Sequence, residues 1–367
     1  MADNKKNKEI ELLRIFATIL VVLGHSGFYT ITTSVGSMGC DWTKYILDGT
    51  IIYKIIGFGT RIIYSCHMQL FILISGMVFQ ICLNGGKYKT TLELLKNKIS
   101  RLIIPYILVS ILYNIPILWC ANYFEKNAYN VILYLIGFGK NHLWYLVALF
   151  FIFVLTYICN FILKRFMKVQ KKTAIVAMMM PALIMYLLND YMGIHVPEIA
   201  YIDRVAKYWM WFLIGMILVE FEDKIKKVLE EKTILKICGM FVIWMFFFLL
   251  VDKGKSIFLF EEQIFGILFW YSICYWMISR FHDLLNNRIL KLINTHSMDI
   301  YLYGVPVNYI IMTILIHING VIHMNNITSL FLFVSRSFFQ IIVGIAIPNL
   351  LKKLKQFYKE RGNYYEL

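Results

Sequence analysis

Arg14 and His25 stand eleven positions apart in an otherwise apolar stretch, Glu11-Leu-Leu-Arg-Ile-Phe-Ala-Thr-Ile-Leu-Val-Val-Leu-Gly-His25. On an α-helix that separation turns through about 1100°, three turns plus roughly 20°, so both side chains project from one face, about 16 Å apart along the axis. Glu11 and Thr18 fall near the same line and complete a polar stripe. A neutral imidazole can take a proton from a hydroxyl or act as a nucleophile. A guanidinium pairs with a carboxylate or a phosphate. The plain alternatives are an Arg14 that snorkels to the headgroups or pairs with Glu11, and a His25 that only packs helices. Two ionisable groups on one stripe of an apolar helix nevertheless mark a candidate site.

Further polar groups fall inside other apolar stretches. His67, Gln69 and Ser75 belong to Ser65-Cys-His-Met-Gln-Leu-Phe-Ile-Leu-Ile-Ser-Gly76, where Ser75-Gly76 also suits helix packing. Arg101, in Arg101-Leu-Ile-Ile-Pro105-Tyr106, is an anchor at the membrane surface or a phosphate ligand. His142-Leu-Trp144-Tyr145 opens another stretch with rings that equally suit the interface. Arg336, flanked by Ser335 and Ser337, lies deep in the last stretch and must face the bundle interior or a wet cavity. It serves a substrate channel or the donor, or forms a structural ion pair for which Asp299 is a candidate. Asp203-Arg204 reads as a surface pair, Glu220-Phe-Glu222-Asp223 as a solvated helix end, and Glu261-Glu262-Gln263 as a loop. The eight histidines show no HxH or HExxH spacing, so no metal site is expected. Convergence of His25, His67 and His142 would be the one route to a metal.

The elements that must hold these groups are membrane spans. The chain of 367 residues is 59% hydrophobic and 16% charged, where a soluble protein carries about a quarter charged residues. Its mean hydropathy is +0.65. The apolar content comes in blocks of about 18 to 22 residues, the length that crosses a bilayer as a helix. The fold class is therefore all-α: a polytopic membrane helix bundle of about ten transmembrane helices. Spans are expected at 11–30, 62–83, 102–121, 143–163, 174–189, 205–221, 234–251, 257–278, 298–318 and 327–350. Residues 51–59 and 131–138 are apolar but too short to cross and read as interfacial or re-entrant. With no linker or repeat, 1–367 reads as a single integral-membrane domain.

With the N-terminus cytoplasmic, 26 of the 37 Lys and Arg fall in inner segments and nine in outer ones, which places both termini in the cytoplasm. This patterning also accounts for the net charge of +15. No basic helix with interleaved aromatics points to nucleic acid. The first apolar segment is too long, and too polar along one face, for a cleavable signal peptide. Seven scattered cysteines form no CxxC pair; Cys40, Cys66 and Cys120 lie towards the outer face, where pairing is open.

Taken in order, these pieces resemble acyltransferase family 3, the membrane proteins that include bacterial glycan O-acetyltransferases. The resemblance rests on Arg14-x10-His25, supported by His67…Phe71…Ser75-Gly76, Arg101…Pro105-Tyr106 and Leu143-Trp144-Tyr145-Leu146. Trp211-Phe212-Leu-Ile-Gly215-Met and Ser297-Met-Asp-Ile-Tyr301-Leu302 match later segments, so it covers nearly the whole chain. One departure stands out: family members often carry a histidine after Ile-Tyr-Leu, where this chain reads Tyr303-Gly304. His296 and His317 are poor substitutes on helical spacing.

The resemblance implies transfer of an acyl group, most simply acetyl, from cytoplasmic acyl-CoA to a hydroxyl of an extracytoplasmic glycan or glycolipid. On that reading His25 and Arg14 are catalytic, with His25 as base or acyl carrier. Arg14, Arg101, Tyr106 and Arg336 hold the donor. His67, Ser75, His142 and Trp144 contact substrate, and Ser75 is a candidate to orient His25. Acetyl-CoA or another acyl-CoA is the donor substrate; the other partners are the carbohydrate acceptor and membrane lipid, with a homo-oligomer allowed. A Lys-, Asn- and Ile-rich composition suggests an AT-rich bacterial genome and a multi-pass home in the plasma (inner) membrane. The rival readings are a transporter or exporter of a polysaccharide or lipid-linked sugar, and a sensor or scaffold without chemistry.

Overall fold

Inside a bilayer no water is at hand for backbone N–H and C=O groups, so each apolar run satisfies them internally as a helix. The computed structural model describes residues 8–33, 38–138, 141–191, 199–230 and 233–362, without the side chains of Ile199, Glu230 and 358–362. Lys5, Lys6, Lys140, His195 and Lys232, used above in the charge and histidine readings, lie outside the described residues. The first half holds α1 (Lys8–Gly27), α2 (Ile51–Tyr64), α3 (His67–Asn84), α4 (Thr91–Lys98), α5 (Ile104–Val109), α6 (Ile115–Cys120), α7 (Ala128–Leu135) and α8 (Trp144–Arg165). The second half holds α9 (Lys171–Asp190), α10 (Ile202–Glu220), α11 (Glu222–Glu230), α12 (Thr233–Asp252) and α13 (Leu259–Arg280). It ends with α14 (Arg288–Thr295), α15 (Ser297–Tyr303), α16 (Val307–Asn319) and α17 (Asn326–Gly362).

Among the described residues nine helical stretches are long and apolar enough to cross a membrane. The nineteen-residue α10 joins them as a tenth long helix: Asp203, Arg204, Lys207 and Glu220 lower its hydropathy, yet it packs between α3, α8 and α9. Ion pairs link neighbouring helices at both faces. Lys226–Glu9 at 3.5 Å and Lys171–Glu220 at 2.9 Å tie the face from which α1 starts, here the terminal face. Arg61–Asp252 at 2.8 Å and Lys207–Asp190 at 3.2 Å tie the far face.

Two expected spans differ in detail. The expected 62–83 span gives its first residues to α2, and the crossing helix starts at His67 after a break at Ser65-Cys66. The third continues α4, α5 and α6 as one thirty-residue helix, Thr91–Cys120, widened into π-turns at Ile99–Ile103 and Ser110–Asn114. Each π-turn ends two residues before a proline, Pro105 or Pro116. A proline lacks the N–H and clashes with the carbonyl four residues back, and the wider turn relieves the clash without breaking the helix. Glu261-Glu262-Gln263, read above as loop, opens α13, with Glu262 and Gln263 buried.

The hub is α1, which packs against α2, α3, α13, α14, α15 and α17. Helix α2 lies against its far end because Gly24 and Gly27 leave room for Tyr64 and Thr60; a Cβ on Gly24 would stand 2.8 Å from the Tyr64 ring. Beyond α1, the hairpin of β1 (Thr30–Thr32) and β2 (Gly39–Asp41) and the parallel pair of β3 (Ile46–Leu47) and β4 (Ile322–His323) cap the far face. They cover an aromatic cluster that includes Trp42, Tyr123, Tyr134 and Tyr309. All seven cysteines are free thiols.

Candidate active site

A cavity of about 300 Å³ opens from the terminal face between α1, α3, α4, α8 and α15. Its mouth carries Arg14, Lys87, Lys98 and Arg101, and no carboxylate lines it. The α1 stripe supplies Arg14, whose guanidinium forms no ion pair with Glu11 and has no hydrogen-bond partner among the described residues. Arg101 comes from the first π-turn. Lys98, one turn earlier, is buried, its Nζ 3.4 Å from the centre of the Phe153 ring and 5.2 Å from that of Tyr88. The ring faces attract an ammonium where no carboxylate is at hand. Such a mouth suits an anion.

Deeper in, the lining turns aromatic. Phe71, Tyr145 and Tyr301 form a row, with ring centres 5.9 and 5.7 Å apart. Tyr145 is fixed by Ser75, oxygen to oxygen 2.7 Å, and Ser75 in turn donates to the Phe71 carbonyl at 3.0 Å. Tyr301 Oη donates to the His142 carbonyl.

The histidines sit beyond this row. The His67 ring lies 4.5 Å from Tyr64 and the His142 ring 6.0 Å from Tyr301, and both are within electrostatic reach of His25. Their hydrogen bonds set them apart. His67 Nδ1–H donates to Ile63 O at 3.0 Å, and His142 Nε2–H donates to Leu302 O at 3.3 Å. Among the described residues His25 has no such tie to a backbone carbonyl: its Nδ1 faces Tyr64 Oη at 3.4 Å. The ring is thereby oriented from α2, with Nε2 left for chemistry. No three His, Cys, Asp or Glu side chains converge as metal ligands among the described residues.

Several expected placements change. Arg336 does not reach the cavity. It is fully buried at the far end of α1, where it donates to His25 O at 3.2 Å, Phe28 O at 2.8 Å and Asn308 Oδ1 at 3.0 Å, beneath the Tyr29 ring at 4.9 Å. Carbonyls at a helix C-terminus carry the negative end of its dipole, so they hold a cation without an acid. Asp299 pairs instead with His296 at 2.9 Å. Tyr106 is also away from the donor cavity, its Oη donating to Leu135 O at 3.0 Å. Ser75 orients Tyr145 rather than His25. Trp144 stacks on Tyr208 at 5.2 Å, and the Arg204 guanidinium lies over the Trp144 ring at 5.4 Å. Glu220, read as solvated, is the anchor of Lys171 and accepts from Asn84 at 3.1 Å.

Gly304 has a packing reason. A Cβ there would meet the Gln340 carbonyl at 3.0 Å, where α15 crosses α17. A histidine has no room at this crossing. The residues missed in the sequence are Lys87, Lys98 and Tyr64. Lys98 had a usable signal, its i, i+3 spacing to Arg101 on one helix face. Tyr64 had none, since only the α2 crossing brings it to His25.

Fold and site together define a polytopic helical membrane protein with a basic cavity leading towards a histidine on its central helix. Residues 7–347 match the model of acyltransferase family 3, described as an acyltransferase domain. The chain belongs to this family and is a membrane acyltransferase. Comparison with curated proteins and with solved structures returns no match.

Proposed function

We propose that the protein moves an acyl group, most simply acetyl, from acyl-CoA to a hydroxyl of an extracytoplasmic glycan or glycolipid, in a bacterial plasma membrane. The observation that carries this is the acid-free basic mouth of a cavity that narrows to an aromatic row beside the histidine cluster. CoA phosphates pair with Arg14, Lys87, Lys98 and Arg101, and the slim pantetheine arm runs inward past Phe79 and Phe153 to Ser75 and Tyr145. The acceptor approaches from the far face. His25 Nε2 takes the proton of the acceptor hydroxyl as that oxygen attacks the thioester carbonyl; the C–S bond breaks, and the thiolate leaves and takes the proton back from the imidazolium. Nδ1–H donating to Tyr64 Oη holds the tautomer this step needs. Formation of an acyl-imidazole on His25 is the variant of the same chemistry.

Purified protein in lipid nanodiscs, given radiolabelled acetyl-CoA with and without a polysaccharide acceptor, tests the reading. Donor consumption with label on the acceptor supports it. A protein that neither binds nor consumes any acyl-CoA overturns it in favour of a transporter or exporter of a polysaccharide or lipid-linked sugar.

A further inference from the structure

Beside the donor cavity lies a second, wider one of about 610 Å³, open on the terminal face between the α3–α4 turn, the end of α8 and the start of α9. The two share Lys87 and Tyr88 in their walls, so they adjoin. The outer chamber is lined by Lys87, Lys89, Lys164, Arg165 and Lys171 and by no carboxylate. Glu220 holds Lys171 at 2.9 Å, while the other four cations form no ion pair among the described residues. Basic residues at this face serve topology wherever they stand, but topology does not require them to line a single concavity together with aromatic faces. Tyr157 and Phe161 lie one turn apart on α8, and Tyr157 is fixed by donating to Tyr88 O at 3.3 Å. Between them Asn160, 9% exposed, turns into the chamber an amide with no hydrogen-bond partner among the described residues.

We infer that this outer chamber is the nucleotide subsite of the donor. Lys89, Lys164 and Arg165 take the 3′-phosphate, Tyr157 and Phe161 receive the adenine face, and Asn160 meets its edge, while the diphosphate stays with the cations of the inner mouth. The chain of the donor then passes Lys87 and Tyr88 into the inner chamber. This assignment rests on the acyl-CoA reading above and adds a selectivity to it: a phosphate monoester carries nearly two charges at neutral pH, so the 3′-phosphate distinguishes CoA from shorter carriers. An anionic lipid headgroup offers the same phosphate chemistry, and the experiment separates the two.

The probes are acetyl-CoA and acetyl-3′-dephospho-CoA, assayed with the full chain in neutral phosphatidylcholine nanodiscs. The dephospho donor is expected to show a KM about tenfold higher, the size of one charge-assisted contact. Lys164→Gln with Arg165→Gln raises the KM of acetyl-CoA to that of the dephospho donor and leaves the dephospho KM where it was. Equal KM for both donors in the native protein, or a variant that shifts both alike, overturns the subsite. So does a preference that appears only when phosphatidylglycerol is present, which would assign the cleft to lipid. Turnover of neither donor sinks the acyl-CoA reading itself. Binding of adenosine 3′,5′-bisphosphate by calorimetry then decides the cleft independently: binding lost in the double variant supports it, and equal binding in both proteins overturns it.

Discussion

Arg14 and Arg336 look alike in the sequence, each a lone guanidinium inside an apolar helix, and the structure gives them opposite surroundings. Arg336 is fully buried, and its Nε and Nη2 donate to Asn308 and to the His25 and Phe28 carbonyls at the end of α1. Arg14 stands in the wall of an open cavity, in the company of Lys98 and Arg101, with no protein acceptor on its guanidinium. A cation gripped by the chain's own carbonyls holds the fold together. One that the chain leaves without an acceptor is free to hold a ligand. The His25 backbone is gripped by the first, and the same helix carries the second towards the donor.

The sharpest way to break this contrast is to remove each charge in turn. Arg336→Met leaves the Phe28 carbonyl without its donor, at about 1–3 kcal/mol for the orphaned group, and takes one of two donors from His25 O and from Asn308 Oδ1. A large drop in thermal midpoint in detergent is expected, with poor yield of folded protein. Arg14→Met should melt close to the native protein while the KM for acetyl-CoA rises about tenfold, the loss of one charge-assisted phosphate contact. Equal melting losses in the two variants would dissolve the distinction. Lys98→Met sharpens it further, because Lys98 is buried among rings and also faces the cavity. Its KM should rise by a few fold, with a midpoint nearer native than that of Arg336→Met. The smallest effect belongs to Tyr145→Phe, which deletes the bond to Ser75. A neutral hydrogen bond of that kind is worth about 1 kcal/mol, so kcat/KM is expected to fall severalfold in steady-state assays.

Much of the bundle was legible because its signal is local: an apolar block of helical length is a helix whatever surrounds it. The break at Ser65-Cys66 was hidden because residues on both sides are equally apolar, and hydropathy carries no mark of a turn there. The α1 stripe showed which face of that helix matters, since helical periodicity alone aligns Arg14 with His25. The partners of those residues were not legible. Tyr64 reaches His25 only because Gly24 lets α2 lie close, and a contact between two crossing helices leaves no trace in the spacing of either. Arg336 was misplaced for the same reason: its acceptors are backbone carbonyls on α1, and backbone atoms have no sequence signature. Gly304 shows the converse, a departure from the family pattern that packing against Gln340 explains once α17 is in place.

The central claim is that the cavity binds the donor and His25 turns it over. The direct measurement is donor binding and label transfer on the same His25→Ala preparation, folded by thermal melt. The account predicts acetyl-CoA binding at near-native affinity with kcat reduced by about 10²–10⁴-fold, the usual worth of a general base. Transfer at the native rate in that variant would contradict it and move the base to His67 or His142.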